Sequence, residues 1–485
     1  MEGVESFGRV LLAVAVATLV AVLSNRLSER TRIPAPAFFL LVAAVASDLW
    51  PWLGRLPITA VQNAVTVALV VLLFNGGMNM GWSRFRPNAG AVAWIGVAGT
   101  FATAALLAVA AHLLGFDWRT ALLLGTALAP TDPAVVFSVL GRREITGRTG
   151  VLLEGESGAN DPVGIALMAG LLGSTVGSAT DVTGSVAITF VEEMAVGALV
   201  GFAGGRALKV FIRKVPLPSE GLYPLRTLAG AFAVYGAATL VHGSGFLAVF
   251  VAGILLGDVR APYKREIERF HAALSSLAEI VAFALLGLTV PLATFATQGA
   301  WADGLVLALV LVVLARPLTM ALLLWPVRLR VGERVFLAFA GLKGAVPILL
   351  GSFVISAQLS HSQRVYDVVF VVVAFSVLVQ GALVPAVARW CRIPMRAGEL
   401  EPWALGVRLH DRPEGVHRIV VETGSAADGR TIADLDLGEH VWVSLAIREG
   451  RLLRVSGSTR LREGDEVLLL TDPEKADERT GLFRG

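Results

Sequence analysis

From Met1 to about Arg392, apolar runs of roughly 18 to 25 residues follow one another, split by short polar loops. A run of that length, at 1.5 Å rise per residue, matches a bilayer hydrocarbon core of about 30 Å. The pattern predicts an all-α polytopic membrane domain of about thirteen helices. They lie near 7–24, 34–50, 58–77, 90–115, 119–140, 150–174, 185–208, 224–242, 244–258, 272–295, 301–325, 333–358 and 366–390. Past Pro394 the texture changes. His417–Glu422, Val441–Ile447 and Val467–Leu470 read as short strands, Thr431–Leu437 as a short helix and Gly464-Asp465 as a turn. The expected organisation is a transmembrane domain at 1–392, a linker at 393–415 and a small α+β domain at 416–485.

Two of the apolar runs are interrupted alike. Ala-Pro-Thr-Asp-Pro at 129–133 breaks the fifth span, and Gly-Leu-Lys-Gly-Ala-Val-Pro at 341–347 breaks the twelfth. Proline removes a backbone donor and clashes with the preceding turn. Backbone groups freed in lipid must be met by protein or by a water-filled cavity. Paired interruptions in two halves of a chain point to a transporter site between inverted repeats. Spans 2–7 and 8–13 would be the halves, with the breaks in the fourth and fifth helices of their respective halves.

Composition sharpens this picture. The 485 residues are 55% hydrophobic and 16% charged, against about 25% charged in soluble domains. Lys and Arg collect in alternate loops. One set holds Arg26, Arg30 and Arg32; Arg84 and Arg86; Arg142, Arg143 and Arg148; Lys209, Arg213 and Lys214; Arg260, Lys264, Arg265 and Arg269; and Arg328, Arg330 and Arg334. The other set offers little beyond Arg55, Arg119 and Arg364. The first set is expected on the cytoplasmic side, with the N-terminus outside and the C-terminus inside. Such loop charge is a topology signal, not a nucleic-acid footprint. From Ile393 onward the chain has about four more acidic than basic side chains. The leading end carries Glu2 and Glu5 and no lysine, so the first span reads as a retained helix and not a secretion signal. A single cysteine, Cys391, rules out an intrachain disulfide.

The stretch 153–163, Leu-Glu-Gly-Glu-Ser-Gly-Ala-Asn-Asp-Pro-Val, puts Glu154, Glu156 and Asp161 in the sixth predicted span, and the fifth adds Asp132. A charge at the centre of a span costs about 2.5–3.5 kcal/mol on insertion scales. Such carboxylates pair with a base, bind a cation or hold a proton. Glu154 also fits a place near the membrane surface, and Asp132 also fits a helix cap before Pro133. A carboxylate in low dielectric exchanges protons readily, because burial disfavours its charged form. Its ionised form is a hard oxygen ligand for a small alkali cation. Proton and cation then compete for Asp161. Thr131, Ser157 and the carbonyls freed at the Thr131–Pro133 break offer further oxygens. Arg316, before Pro317, needs a partner if buried; Glu156 is the candidate, and snorkelling to the surface is the alternative. Lys343 stands in the second break, either paired or at a cavity mouth or head group. Gly197, Gly201 and Gly205, spaced by four, suit close helix contact.

Ala129–Pro133, Glu156-Ser157 with Asn160-Asp161-Pro162, and Gly341–Pro347 together resemble the cation/proton antiporter superfamily, in its bacterial NhaP-type branch. The resemblance spans nearly all of 1–392. It implies a homodimer in a bacterial inner membrane, with crossed, broken helices in each protomer. It implies that Asp161 carries cation and proton, that Asp132, Thr131 and Ser157 line the site, and that Glu156 pairs with an arginine, here Arg316. Asn160 stands where electrogenic relatives have a second Asp, which implies electroneutral exchange. Relatives often read Gly-Leu-Arg-Gly where this chain has Lys343, and the bidentate geometry of Arg is lost there. The tail, through Val420–Gly424, Gly429–Leu435, Ala446–Gly450 and Gly464–Leu470, is similar to the C-terminal half of TrkA-type potassium-transport regulatory domains. That likeness tilts the cation toward K⁺ and implies a small regulatory ligand or a dimer contact. No dinucleotide fingerprint precedes the tail, so no cofactor is expected.

The expected activity is exchange of a monovalent cation for H⁺ in cation and pH homeostasis, and not an enzymatic one. Na⁺ (or Li⁺) is the alternative cation. A ligand-gated cation channel with the same tail is the competing class, but no filter-like segment is present. Gly155-Glu-Ser-Gly158 lacks the spacing of a hydrolase nucleophile elbow.

Overall fold

The computed structural model describes residues 8, 34–50, 52–141, 143–173, 179–259, 261–290, 292, 299–359, 361–397, 416–435, 437, 441–448, 451–471 and 481–483. All but one residue of the predicted first span, the loop arginines Arg26, Arg30, Arg32, Arg142 and Arg260, and most of the 393–415 linker lie outside them. The chain divides into two compact units, Met1–Gly398 and Glu399–Gly485.

The first unit is helical. Its elements are α1 (Ala35–Leu49), α2 (Ile58–Phe85), α3 (89–113), α4 (Trp118–Leu128), α5 (Pro133–Leu140), α6 (Arg148–Gly173), α7 (Ala179–Lys214), α8 (Leu222–Leu240), α9 (Gly245–Gly257), α10 (Lys264–Leu288), α11 (Ala300–Leu323), α12 (Val331–Phe339), α13 (Ala345–Ser356) and α14 (Ser362–Trp390). Among the described residues six helical stretches are long and apolar enough to cross a membrane: Ile58–Leu113, Trp118–Leu140, Val186–Lys214, Lys264–Leu288, Ala300–Leu323 and Ser362–Trp390. Shorter apolar helices are α1, α9 and α13.

Both expected interruptions are real gaps in helix, between α4 and α5 and between α12 and α13. The sequence gives no sign of three π-helical turns, Trp94–Ala98 in α3, Leu311–Ala315 in α11 and Ser376–Gln380 in α14. Nor does it foretell the kink at Gly81 in α2, whose φ of 65° suits glycine. Asp258 braces that kink: Oδ1 accepts from Ser83 Oγ at 3.0 Å, and Oδ2 accepts from the Ser83 N–H.

The glycines spaced by four mark a helix contact. A Cβ on Gly197, Gly201 or Gly205 of α7 would strike the backbone of Ser244, Ala248 or Ala252 respectively. On the other side of α9, Gly253 abuts Phe74 O, and Gly257 abuts Gly81. Helix α9 is thus held backbone to backbone between α2 and α7.

A small antiparallel sheet departs from the all-α expectation for this unit. Strand β1 (Arg143–Ile145), between α5 and α6, pairs with β2 (Met395–Ala397), just past α14. The N–H of Thr146 extends the pairing to Pro394 O at 3.0 Å.

The second unit has a four-stranded antiparallel sheet of β3 (Val416–Val420), β4 (Val441–Arg448), β5 (Arg451–Leu453) and β6 (Glu466–Thr471), in the order β3-β6-β4-β5. The predicted helix at 431–437 is one 3₁₀ turn, Ala433–Leu435. Gly464, with φ of 81°, takes the predicted turn. The unit has its own core, including Ile419, Ala446, Leu461, Val467, Leu469 and Phe483.

Candidate cation site

The two breaks meet each other. The N–H of Asp132 in the first donates to Leu342 O of the second at 2.8 Å. Lys343 reaches back: its Nζ donates to Ala129 O at 2.9 Å and to Pro130 O at 3.0 Å. Helix α4 ends at Leu128, so these carbonyls belong to a helix C-terminus, where a cation also suits the dipole. The Lys343 side chain is fully buried. That corrects the reading of it at a cavity mouth or head group. Its own N–H donates to Ser376 Oγ at 3.0 Å, in the π turn of α14. At the start of α5, Asp132 Oδ1 caps the helix by accepting from Ala134 N–H at 2.8 Å. Gly344 leaves no room for a Cβ, which would run into the Asp132 carboxylate.

Helix α6 brings the remaining groups. Ser157 and Asp161 share one face by their spacing of four, as do Glu156 and Asn160. All four are buried. Asn160 Nδ2 donates to Thr131 Oγ1 at 2.7 Å, linking α6 to the first break. The charges interacting with Asp161 are Asp132 and Lys343. Asp161 Oδ1 and Asn160 Oδ1 are buried and accept no hydrogen bond. Buried polar atoms are nearly always paired, so two orphan oxygens beside Thr131 and Asp132 make a cluster suited to a cation or a proton. Pro162 interrupts the backbone ladder within α6 itself.

Arg316 and Glu156 form a buried bidentate pair, with Nη1 to Oε1 at 2.5 Å and Nη2 to Oε2 at 2.9 Å. Arg316 follows the π turn of α11 directly, and Gly341 of the second break admits the guanidinium where a Cβ would collide. The π turn of α3 also borders α6: a Cβ on Gly96 would lie 2.5 Å from that of Ala159. Glu154 stands apart, 3.8 Å from Arg84 and a quarter exposed.

The structure thus brings together Thr131, Asp132, Glu156, Ser157, Asn160, Asp161, Arg316 and Lys343. The carbonyls of Ala129 and Pro130 each accept a hydrogen bond from Lys343 Nζ. Two groups escaped the sequence reading. Ser376 and Gln380 support the second break, with Gln380 accepting from Ser376 Oγ and donating to Phe339 O; nothing in their spacing signals this. The other is Glu279 of α10, whose Oε1 is enclosed and accepts no hydrogen bond. It lay in view as an acid within the predicted span 272–295, but in no motif.

Comparison with known proteins gives the following. The family profile described as sodium/hydrogen exchanger, transmembrane, matches residues 14–390, and the TrkA-C domain profile matches 416–483. The K⁺/H⁺ antiporter NhaP of Alkalimonas amylolytica is 34% identical over 402 residues, covering 81% of this chain and 69% of that protein. The K⁺/H⁺ antiporter NhaP2 of Shewanella oneidensis is 30% identical over 488 residues, covering 99% and 84%. The Na⁺/H⁺ antiporter ApNhaP of Aphanothece halophytica is 26% identical over 395 residues, covering 78% and 73%. The fold is that of the sodium proton antiporter MjNhaP1 of Methanocaldococcus jannaschii at pH 8, with a TM-score of 0.64, 23% identity, and coverage of 79% of this chain and all of that one.

Proposed function

The chain belongs to the sodium/hydrogen exchanger family, and within it we propose a K⁺/H⁺ antiporter that exchanges the two ions one for one at Asp161. The observation that carries this reading is the buried, unpartnered Asp161 Oδ1, next to Asn160, which donates to Thr131 of the first break. A cation entering that junction can take oxygens from Asp161, Asp132, Thr131, Ser157 and Asn160. Protonation of Asp161 removes the charge that holds it. Cation and proton therefore exclude each other, and a site opened alternately to each side couples their flows.

The other groups have separate tasks. The Glu156–Arg316 pair fixes α6 against α11, so that Asp161 keeps its depth. Lys343 satisfies the Ala129 and Pro130 carbonyls just past α4, which would otherwise face a dry interior. Asn160 adds an oxygen without adding a charge, and one titrating carboxylate in the pair suits electroneutral exchange. Potassium is favoured over sodium by the names borne by the NhaP and NhaP2 relatives; ApNhaP is the relative that speaks for Na⁺.

We further infer thirteen spans in two inverted repeats, an N-terminus outside and a C-terminus in the cytoplasm of a bacterium, and a homodimer in its inner membrane. The domain limits are 1–392, 393–415 and 416–485, the last being a regulatory domain for a small ligand. The test is flux into voltage-clamped liposomes holding a pH dye under an imposed ΔpH. Wild type should dissipate ΔpH on addition of K⁺, without voltage dependence, and Asp161→Asn should abolish this. Response to Na⁺ and Li⁺ alone would overturn the cation, and flux persisting in Asp161→Asn would overturn the carrier in favour of a channel.

A further inference from the structure

The helices of the first unit sort into two packed groups. α1 and α2 go with α7–α10, and α3–α5 go with α11–α14. α6 is bound to the second group by its Asn160–Thr131 and Glu156–Arg316 contacts. Both breaks, and with them the candidate cation site, therefore belong to the second group, and the first stands against it. At the end of the bundle where α2 begins and α10 and α13 finish, polar side chains cross from one group to the other. Gln62 Nε2 of α2 donates to Ser352 Oγ at 3.1 Å and to Ser356 Oγ at 2.9 Å, both on α13. Thr289, just past α10, donates to Leu286 O at 2.7 Å, which leaves its oxygen to accept from Tyr366 Oη of α14, 2.5 Å away. Other polar contacts at that end stay inside one group: Ser47 of α1 with Val290 O, and Arg364 of α14 with Asp303 of α11. At the opposite end Arg84 of α2 and Glu154 of α6 face each other across the boundary at 3.8 Å, outside hydrogen-bond reach. Basic residues crowd that opposite end, with Arg84 and Arg86 at the finish of α2 and Lys264 and Arg265 at the start of α10, so the Gln62 end is the outer one in the orientation inferred above. Helix α13 runs from Gly344, which abuts the Asp132 carboxylate, to Ser356. The Gln62 contacts thus pin the outer half of the second broken helix, between the cation site and the outer face.

We propose that Gln62 is a positioning residue of the exchange: together with the Tyr366–Thr289 contact it latches the two helix groups at the outer face, and so sets how often the cation site opens outward. Gln62 acts through α13 and does not hold the cation. Opening the site to the outer face requires α13 to come away from α2, which parts the Gln62 amide from both serines. Opening it to the inner face leaves these contacts whole. Each is a bond between neutral groups, strong enough to bias the two states and weak enough to be broken at every turnover. The inference rests on the cation/proton reading above, with its site opened alternately to each side.

The experiment measures the half-saturating K⁺ at the outer and the inner face separately, in right-side-out and everted membrane vesicles, for wild type, Gln62→Met and Tyr366→Phe. A site that is open to one face for only a fraction of the time binds there with its affinity reduced by that fraction. Gln62→Met keeps the bulk of the side chain and removes its donors. It should lower the half-saturating K⁺ at the outer face about fivefold, the worth of about one neutral hydrogen bond, without lowering it at the inner face. Tyr366→Phe should shift the balance the same way. An unchanged outer half-saturation overturns the inference, and so does an equal change at both faces, which marks general loosening. A second measurement does not depend on affinity. In a Cys391→Ala background, Gln62→Cys and Ser356→Cys are joined by a short bis-methanethiosulfonate reagent; the link should stop exchange, and reductant should restore it. Exchange that continues through the link overturns the latch, as does failure of the link to form. If wild type itself shows no cation-dependent proton flux from either face, the antiporter reading fails first and is recognised separately.

Discussion

At the scale of single residues the site is a set of charges, each answered by a specific partner. The Glu156–Arg316 pair is buried on both sides. Removing one member of such a pair strands the other, at a cost of about 3–5 kcal/mol, whereas replacing both by apolar or neutral groups of similar size is often tolerated. Arg316→Met should therefore destabilise the solubilised protein strongly, and Glu156→Gln with Arg316→Met together should recover most of the loss. Thermal unfolding in detergent measures both; a double variant no better than the single would show that the guanidinium acts through Leu337 O or packing instead. Much of the site was legible because charge in an apolar run is rare and expensive: Asp132, Glu156, Asp161, Arg316 and Lys343 all announced themselves this way. Glu279 obeys the same rule and lacked only a neighbouring motif. The partner of Lys343 was not legible, because backbone carbonyls carry no mark in a sequence and these lie over two hundred residues away.

At the scale of elements, breaks that depend on proline and glycine could be read, while the π turns could not. Trp94–Ala98, Leu311–Ala315 and Ser376–Gln380 contain no residue type that demands a widened turn, yet each adjoins the site, as π turns often do. The strand β1 was equally hidden, since three residues pair with a segment whose register runs from Arg143↔Ala397 to Ile145↔Met395. Glycine spacing was readable, and its weight can be measured. A Cβ on Gly201 would lie 2.5 Å from Ala248 O, whereas one on Gly236 of α8 meets nothing within 4 Å. Gly201→Ala should lower stability by about 1–3 kcal/mol through overpacking, and Gly236→Ala should leave it unchanged or raise it slightly. Comparable melting temperatures for the two variants would show that α7 and α9 can separate without cost.

At the scale of the whole molecule, the two units answer to different physics: a membrane unit sorted by apolar length, and a tail that folds around its own small core. In the tail, Asp465 is buried and accepts from Arg448 Nε at 2.8 Å, Arg448 Nη2 at 2.8 Å and the Arg462 N–H at 2.8 Å. Burial alone would raise its carboxyl, but these donors outweigh burial and hold it below the ordinary aspartate range. A carboxylate depressed on folding stabilises the fold at every pH above its unfolded value near 4 and loses that contribution as the pH falls through the folded value. The tail should thus keep this contribution at neutral pH and lose it only below about pH 4. Asp465→Asn should cost about 1.5–3 kcal/mol at pH 7. Hydrogen exchange of β4 and β6 in the full chain reads this directly, and protection unaffected by the substitution would refute it. The stitch between the breaks has a wider consequence. Three hydrogen bonds tie residues 129–132 to 342–343, and those to the ammonium are worth roughly 1.5–3 kcal/mol each. A cycle that swung one crossing while its mate stood still would have to rip and remake that seam at every turnover. A cycle that left the seam whole would carry both crossings together as a single carriage, with its sliding surfaces elsewhere.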